Sequence, residues 1–260
     1  MPWMALLISA ARPLKLIVRG MLGPVRWNRL LLSLGRCDRN AYYDALTEEI
    51  LKRWLQPDSV CIDVGCHTGA ILRIMLSYAA KGRFYAFEPL PDLFRGLVES
   101  FRNDRVVLSE LALSDHAGLE PFNHVITNPG YSGFVMRRYD RPREQDETIQ
   151  VRTARLDDLI DAKDRVDFIK IDVEGAELLV LKGAERTLRS CRPMILFEYG
   201  LGAADCYGTR PQDMFGYLCD GLGFRISLLD RWLLGWPPLS RRAFEAQFTR
   251  HLNWYFVAYP

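Results

Sequence analysis

The stretch CIDVGCHTGA (residues 61–70) runs four largely apolar residues into two glycines that are spaced four apart. Gly65 and Gly69 fit a tight turn in which the backbone approaches a ligand closely and a helix N-terminus follows. Asp63 stands just ahead of the first glycine and brings a carboxylate to the same turn. The stretch therefore predicts a strand, a ligand-binding turn and a helix, in that order.

Short apolar segments rich in β-forming residues alternate with helical stretches along most of the chain. We expect strands at SVCIDVG, RFYAFEP, RVVLSELALSD, VDFIKIDVEG, PMILFEYG, GFRISLLD and NWYFVAYP. We expect helices over residues 42–55, 70–80, 92–102, 176–189 and 240–249. Strands separated by helices of this length indicate an α/β fold, with a mostly parallel sheet and helices on both faces.

Residues 119–153 interrupt this alternation with NPGYSG and the charged stretch RRYDRPREQDET. A long connection inside a domain is typical either of a functional covering or of a loose segment. Two interpretations stay open for it: an insertion that covers a ligand, and a loose surface loop.

The composition excludes several classes of protein. With 49% hydrophobic and 25% charged residues, the chain has the make-up of an ordinary globular protein rather than a disordered one. Its six cysteines form no CxxC pair and no spacing that matches a Cys/His ligand set, which argues against a zinc site and a dense disulfide framework. We therefore expect no metal site and a reducing, cytoplasmic environment.

Residues 1–37 carry six basic side chains and no acidic one. Apolar residues recur there at helical spacing, so we predict a basic amphipathic arm over residues 1–40 and one domain over residues 41–260. This charge favours an anionic partner such as a lipid surface and argues against a nucleic-acid groove on the domain. Two interpretations stay open: peripheral contact of residues 1–36 with the inner membrane surface, and an arm packed on its own domain. The apolar run over residues 1–11 is too short to span a bilayer, and no pattern indicates an oligomeric state.

Four acidic residues lie within two residues of the carboxyl end of a predicted strand. They are Asp63, Glu88, Asp172 and Glu198. In an open parallel sheet a ligand binds outside the carboxyl ends of the strands, where the strand order reverses. Because four carboxylates at one edge repel one another unless a ligand or hydrogen bonds organise them, their placement predicts a binding site.

The position of Glu88 indicates the kind of ligand. It follows Gly69 by 19 residues, a spacing that suits a carboxylate bound to ribose hydroxyls. A nicotinamide dinucleotide and S-adenosylmethionine both carry that ribose. A dinucleotide turn has a third glycine and no carboxylate beside the pyrophosphate, whereas here the third glycine is missing and Asp63 is present. A sulfonium with an α-amino group attracts carboxylates, so the acids select S-adenosylmethionine.

Several of these segments resemble the FkbM-type methyltransferases, a branch of the S-adenosylmethionine-dependent Rossmann-like enzymes. The segments are CIDVGCHTGA, FYAFEP, LALSD and, most specifically, FIKIDVEGAELLVLKGAERTL, and the match covers roughly residues 58–200. The resemblance implies a class I sheet of seven strands with an antiparallel last strand. It also implies an O-methyltransferase that acts on a hydroxyl of a sugar, a glycan or another natural product by in-line methyl transfer.

The resemblance further implies roles for individual residues. The expected cofactor-binding residues are Asp63, Gly65, His67 and Gly69 at the methionine end, Glu88 at the ribose, Ala112 at the adenine and Asp172 near the methyl group. Asp172 or Glu198 is expected to take the hydroxyl proton, with Glu174 orienting the acceptor or bracing its loop. Two positions depart from the family: Cys66 stands where alanine is common, and no histidine follows Glu198.

Two other functions compete with this hypothesis. One is a non-catalytic cofactor-binding or scaffolding protein that keeps a methyltransferase fold, and the other is an NAD-dependent oxidoreductase. The intact glycines and acids argue against a degenerate site, and the missing third glycine argues against the dinucleotide.

Overall fold

A computed structural model describes residues 12–139 and 143–260 of the chain, with side chains from residue 19 onward. Two compact units make up the described chain. One holds the N-terminal segment up to Trp54 together with Leu229–Pro237, and the other holds Leu55–Leu228 and Pro238–Pro260. The predicted boundary between residues 40 and 41 stays a prediction, although the first compact unit extends beyond it.

The second unit is built mainly from strands. They are β1 (Val60–Val64), β2 (Arg83–Phe87), β3 (Val106–Ser109), β4 (Ala112–Leu113), β5 (Gly118–Val125), β6 (Asp146–Ala154), β7 (Phe168–Ile171), β8 (Met194–Glu198), β9 (Arg225–Leu228) and β10 (Tyr255–Tyr259). The helices of both units are α1 (Arg12–Ser33), α2 (Arg39–Trp54), α3 (Ala70–Tyr78), α4 (Pro91–Ser100), α5 (Leu156–Leu159), α6 (Glu177–Gly183), α7 (Glu185–Cys191), α8 (Pro211–Phe215), α9 (Leu229–Leu233) and α10 (Arg241–Thr249).

Seven strands form one sheet in the order β3-β2-β1-β7-β8-β10-β9. Every neighbouring pair is parallel except the two pairs that involve β10, which runs antiparallel to both β8 and β9. The predicted fold class is therefore confirmed, including the reversed last strand. All four residues of β7 are buried, as expected for a central strand of a parallel sheet that is covered on both faces.

The strand order brings two loops together at the carboxyl edge of the sheet. Strands β1 and β7 are neighbours, and Asp63 pairs in register with Lys170. A Cβ atom added at Gly65, which has a φ of +69°, would lie 2.0 Å from the carbonyl oxygen of Asp172. The turn after β1 therefore packs against the turn after β7 so closely that only glycine fits.

Residues 119–153 contain regular structure, which corrects the alternative of a loose surface loop. Strands β5 and β6 pair antiparallel from Gly118 opposite Thr153 to Val125 opposite Asp146, and β4 adds to β6 as a third strand. The sequence pattern misses this hairpin because most of β5 is exposed or half-buried, and only Phe122 and Val125 are buried along it.

The single helix expected over residues 176–189 is two helices, α6 and α7, that meet at Ala184. Gly183 ends the first of them. A Cβ atom at this position would lie 2.0 Å from the carbonyl oxygen of Ser114, so the main chain passes directly against the end of β4. The sequence favours helix throughout, and the close contact with a neighbouring segment interrupts it.

The N-terminal unit contains the predicted arm, of which residues 1–11 lie outside the described chain. Helix α1 is interrupted at Gly23, which has a φ of 73° and a ψ of 163°. Within the same unit, the hydroxyl of Tyr42 donates to Asp230, and Arg53 donates to the carbonyl oxygen of Leu233. None of the helices in the described part of the chain is both long and apolar enough to cross a bilayer.

The carboxylate of Glu177 accepts hydrogen bonds from the backbone of the turn between β7 and α6. Its Oε1 accepts hydrogen bonds from the backbone N–H groups of Gly175, at 3.0 Å, and Val173, at 3.3 Å. The side chain is buried, with 1% of the residue exposed. Burial raises the pKa of Glu177 to about 7, the charge of Asp172 adds to this effect, and the backbone N–H groups oppose it.

We expect Glu177 to make the protein less stable as the pH rises from about 4.5 to about 7. Over this range the folded protein binds the Glu177 proton more tightly than the unfolded chain does, so deprotonation favours unfolding. The full effect is about 3 kcal/mol. Glu177→Gln keeps an acceptor for the two N–H groups and removes the titration, so its urea midpoints between pH 5 and pH 8 should fall less steeply than those of the wild type. Parallel pH profiles for the two proteins would contradict this assignment.

Candidate active site

The turn after β1 forms the floor of the site. Gly65 and Cys66 both donate their backbone N–H groups to the carbonyl oxygen of Phe87 at the end of β2, at 3.0 and 3.1 Å. His67 and Gly69 have positive φ values of 49° and 74°, and Gly69 is the N-cap residue that directly precedes α3. The turn therefore ends at a helix N-terminus, as the sequence predicts.

Glu88 connects this turn to the segment after β2. Its Oε2 accepts a hydrogen bond from the N–H of His67 at 2.8 Å, and its Oε1 accepts one from the N–H of Leu90 at 3.0 Å. Burial raises the pKa of Glu88, and the two backbone donors oppose that shift. Each carboxylate oxygen has a second lone pair, so Glu88 retains the capacity to accept hydrogen bonds from a ligand.

A buried lysine joins the two loops where β1 and β7 end. The ammonium nitrogen of Lys170 donates to the carbonyl oxygen of Gly65 at 2.7 Å. It also lies 3.5 Å from Oδ1 of Asp63 and 3.5 Å from Oδ2 of Asp172. Only 5% of Lys170 is exposed, and these carboxylates raise its pKa against the opposing effect of burial. Lys170 is therefore a charged ammonium between two carboxylates.

Asp63 is buried, and the hydrogen-bonding capacity of its carboxylate is largely unused. Only 1% of the residue is exposed, and among the described residues no donor reaches either carboxylate oxygen with good hydrogen-bond geometry. Burial raises its pKa, Lys170 opposes this effect, and the charge of Asp172 adds to it. A buried carboxylate whose hydrogen bonds are incomplete is costly, and a cationic or hydrogen-bonding ligand beside it would add to the stabilisation that Lys170 provides.

Asp172 and Glu198 lie on neighbouring strands at the same edge of the sheet. The hydroxyl of Tyr255 on β10 donates to Oδ2 of Asp172 at 3.2 Å, and Tyr255 pairs in register with Glu198. Burial, followed by the charges of Asp172 and Glu177, raises the pKa of Glu198 well above its ordinary value. Asp172 keeps 27% of its side chain exposed, so this carboxylate is accessible from solvent.

The remaining predicted site residues lie around this group. Ala112 is buried on β4, in an apolar cluster with Leu90 beside Glu88. His67 is exposed, and partial burial of its ring together with the charge of Lys170 lowers its pKa, so the imidazole is neutral at pH 7. Glu174 has a φ of +57° and forms an ion pair with Arg137, away from the lysine.

Three residues of this edge were not predicted: Lys170, Tyr255 and Arg137. A lysine inside the otherwise apolar strand FIKI is a signal that sequence analysis can use, because an unpaired lysine is almost never buried. Tyr255 and Arg137 give no such signal, since their partners are brought to them only by the sheet topology and by the hairpin.

The charged groups around the turn after β1 fit S-adenosylmethionine better than a dinucleotide. Asp63, Glu88 and Asp172 place three carboxylates around the turn, with one ammonium, that of Lys170, between them. A cationic sulfonium is stabilised by such an excess of negative charge, whereas a pyrophosphate would be repelled. In the part of the chain that the structure describes, no group of three His, Cys, Asp or Glu side chains is arranged to hold a metal ion.

Comparison with known proteins identifies the family. The Methyltransferase FkbM domain matches residues 63–226, which is more than half of the chain. The crystal structure of Methyltransferase FkbM from Methylobacillus flagellatus KT superposes with a TM-score of 0.52 at 16% sequence identity, covering 90% of this chain and 54% of that one. This likeness supports the fold.

Two curated relatives are informative. The 2-O-methyltransferase NoeI of Sinorhizobium fredii is 33% identical over 158 residues, which are 55% of this chain and 64% of NoeI. The hexuronic acid methyltransferase AglP of Haloferax volcanii is 29% identical over 183 residues, which are 68% of each protein. This chain thus spans a little under two thirds of NoeI. It belongs to the FkbM methyltransferase family, a family of enzymes that use S-adenosyl-L-methionine.

Proposed function

We propose that this protein transfers a methyl group from S-adenosylmethionine to a hydroxyl of a sugar, a glycan or another natural product. The observation that carries the proposal is the acidic edge around Lys170, where Asp63, Asp172 and the turn at Gly65 meet. The family and the 2-O-methyltransferase NoeI support methyl transfer to a hydroxyl, and the hexuronic acid methyltransferase AglP supports a carbohydrate acceptor. A dinucleotide-dependent oxidoreductase does not account for a buried carboxylate beside a glycine turn, because that carboxylate would repel the pyrophosphate.

Six residues are proposed to bind the cofactor. They are Asp63, Gly65, His67 and Gly69 at the methionine end, Glu88 at the ribose and Ala112 at the adenine. When bound, S-adenosylmethionine supplies an electrophilic methyl group on a cationic sulfur. The neutral imidazole of His67 adds no positive charge beside that sulfur, and Glu88 reaches the same turn through the N–H of His67.

Asp172 and Glu198 are proposed to divide the handling of the acceptor. Oδ2 of Asp172 already accepts from the Tyr255 hydroxyl and lies near Lys170, so Asp172 is suited to orient the acceptor hydroxyl. Glu198, in its ionised form, is suited to take the proton, because burial favours the protonated form that results. Alignment of the two reactants contributes about 7 to 11 kcal/mol, and a general base adds about 10²- to 10⁴-fold in rate.

Titration calorimetry with S-adenosylmethionine and, separately, with NADH tests the cofactor. We expect the wild type to bind S-adenosylmethionine alone, and Glu88→Ala to weaken that binding by about tenfold or more because hydrogen bonds to a charged group are lost. Glu99→Ala, at an exposed glutamate of α4, is the matched control and should bind as the wild type does. Binding of NADH, or an unchanged dissociation constant in Glu88→Ala, would contradict the proposal.

Replacement of Asp172 should separate turnover from binding. Asp172→Asn keeps the shape of the side chain but removes the charge that orients the acceptor hydroxyl, so we expect turnover to fall by about 10²-fold or more while cofactor binding weakens much less. Asp158→Asn, at an exposed aspartate of α5, is the control. The measurement is the rate of S-adenosylhomocysteine formation, and near-normal turnover in Asp172→Asn would remove this residue from the mechanism.

We also propose that the N-terminal arm contacts an anionic membrane surface from the cytoplasmic side. Arg19, Arg26 and Arg36 are exposed, and Met21 beside them is 81% exposed. Exposed basic residues next to an exposed apolar side chain suit peripheral binding to acidic lipid, and each such charge contributes about 1 kcal/mol.

Sedimentation of the full chain with phosphatidylglycerol–phosphatidylcholine vesicles checks this contact. We expect the wild type to sediment with these vesicles and not with pure phosphatidylcholine, and the double variant Arg19→Gln, Arg26→Gln to lose most of the binding. Lys81→Gln with Arg102→Gln removes the same charge from exposed positions of the other unit and should leave binding intact. Equal sedimentation of both double variants would contradict a role for the arm.

A further inference from the structure

Tyr139 holds the segment that follows β5 against the hairpin. The hydroxyl of Tyr139 accepts a hydrogen bond from Nδ2 of Asn123 and donates one to Oδ2 of Asp146, each at 2.7 Å. These partners lie on β5 and β6, so the hairpin itself holds the ring. The ring of Tyr131 is parallel to that of Tyr139, with an interplanar angle of 4° and a centroid distance of 6.2 Å.

Arg137 extends this stack toward the sheet. Its guanidinium carbon lies 4.5 Å from the centroid of the Tyr131 ring, a cation–π contact, and its Nη1 forms an ion pair with Oε2 of Glu174. Only 12% of the arginine side chain and 15% of the glutamate side chain are exposed. Within the described chain, Nε of Arg137 is buried and has no hydrogen-bond partner.

The pair lies on the acceptor side of the edge. Glu174 follows Asp172 by two residues, and its positive φ of 57° is a conformation that costs free energy for a residue other than glycine. The charge of Arg137 opposes the rise in the pKa of Glu198 that burial and the neighbouring carboxylates cause. The N–H of Arg138 donates to the carbonyl oxygen of Gly202 at 3.2 Å, which holds the segment against the loop after β8.

The chemistry of the pair selects the class of acceptor. A guanidinium only donates hydrogen bonds and a carboxylate only accepts them, whereas each sugar hydroxyl does both. Two adjacent hydroxyls therefore satisfy Arg137 and Glu174 together. An anionic group is disfavoured, because the acidic side chains at this edge, Asp63, Asp172, Glu174 and Glu198, outnumber the two cations, Arg137 and Lys170.

We propose that Arg137 and Glu174 form the acceptor subsite and bind adjacent hydroxyls of an uncharged pyranoside next to the hydroxyl that is methylated. This inference rests on the proposed methyl transfer. In this proposal, the stacked rings of Tyr139 and Tyr131 hold the guanidinium of Arg137 in position.

The test measures S-adenosylhomocysteine formation by the full chain with four probes. They are methyl α-D-glucopyranoside, methyl α-L-fucopyranoside, methyl α-D-mannopyranoside and the anionic methyl β-D-glucuronide. At least one neutral glycoside should be methylated in preference to the glucuronide. With that glycoside, Arg137→Gln and Glu174→Gln should each raise KM by about tenfold or more, with kcat changed by less than about threefold.

The control variant is Arg138→Gln, which removes the neighbouring guanidinium, 69% exposed and paired with Asp205. It should leave KM unchanged, and Arg137→Lys, which retains the charge without the planar fork, should fall between Arg137→Gln and the wild type. Calorimetry with S-adenosylmethionine should give the same dissociation constant for every variant, and thermal unfolding should report any loss of structure.

The outcomes separate two kinds of failure. A protein that does not bind S-adenosylmethionine overturns the proposed function and this inference with it. A protein that binds the cofactor but methylates no glycoside, or that prefers the glucuronide, overturns only the acceptor subsite. An unchanged KM in Arg137→Gln, or a loss of cofactor affinity equal to the loss of acceptor affinity, shows that the ion pair serves only to hold the loop.

Discussion

The buried ammonium of Lys170 is the interaction on which the candidate site depends. It lies between Asp63 and Asp172, on the two strands whose turns meet, and it donates to the carbonyl oxygen of Gly65. Without it, two carboxylates would face each other in a region of low dielectric constant, where like charges repel strongly. Because the lysine contacts the turn after β1 and the carboxylate that follows β7 together, these two parts of the candidate site cannot be positioned independently of each other.

The surroundings of the acids also explain why they differ from one another. Asp172 has a cation and a hydroxyl as neighbours, Glu88 has two backbone donors, and Glu198 has mainly burial and negative charge around it. Side chains of one chemical type therefore lie in different surroundings within a small region, and differences of this kind are what suit neighbouring carboxyl groups to different tasks.

Local patterns were sufficient to predict most of the sheet and its acidic edge. Asp63 and Glu88 are recognisable because each lies within one residue of the end of an apolar strand, and parallel strands place such ends together. Tyr255 and Arg137 could not be found in this way, because nothing near them in sequence records that they lie beside Asp172 and Glu174. The sequence does not reveal the hairpin of β5 and β6 for a related reason. Its exposed strands are stabilised by pairing with each other, so they show no regular apolar pattern.

The division of the chain has a consequence for biosynthesis. Tyr42 and Arg53 of the N-terminal unit have partners at Asp230 and Leu233, which are separated from them by 188 and 180 residues. A ribosome makes these partners 188 and 180 residues after Tyr42 and Arg53, so the helices wait for a segment that is made much later. Contacts of such sequence separation form slowly, and the nascent unit exposes its apolar surface for most of that time. This unit is thus completed long after its helices have been synthesised, and it depends on protection of its apolar surface during that time.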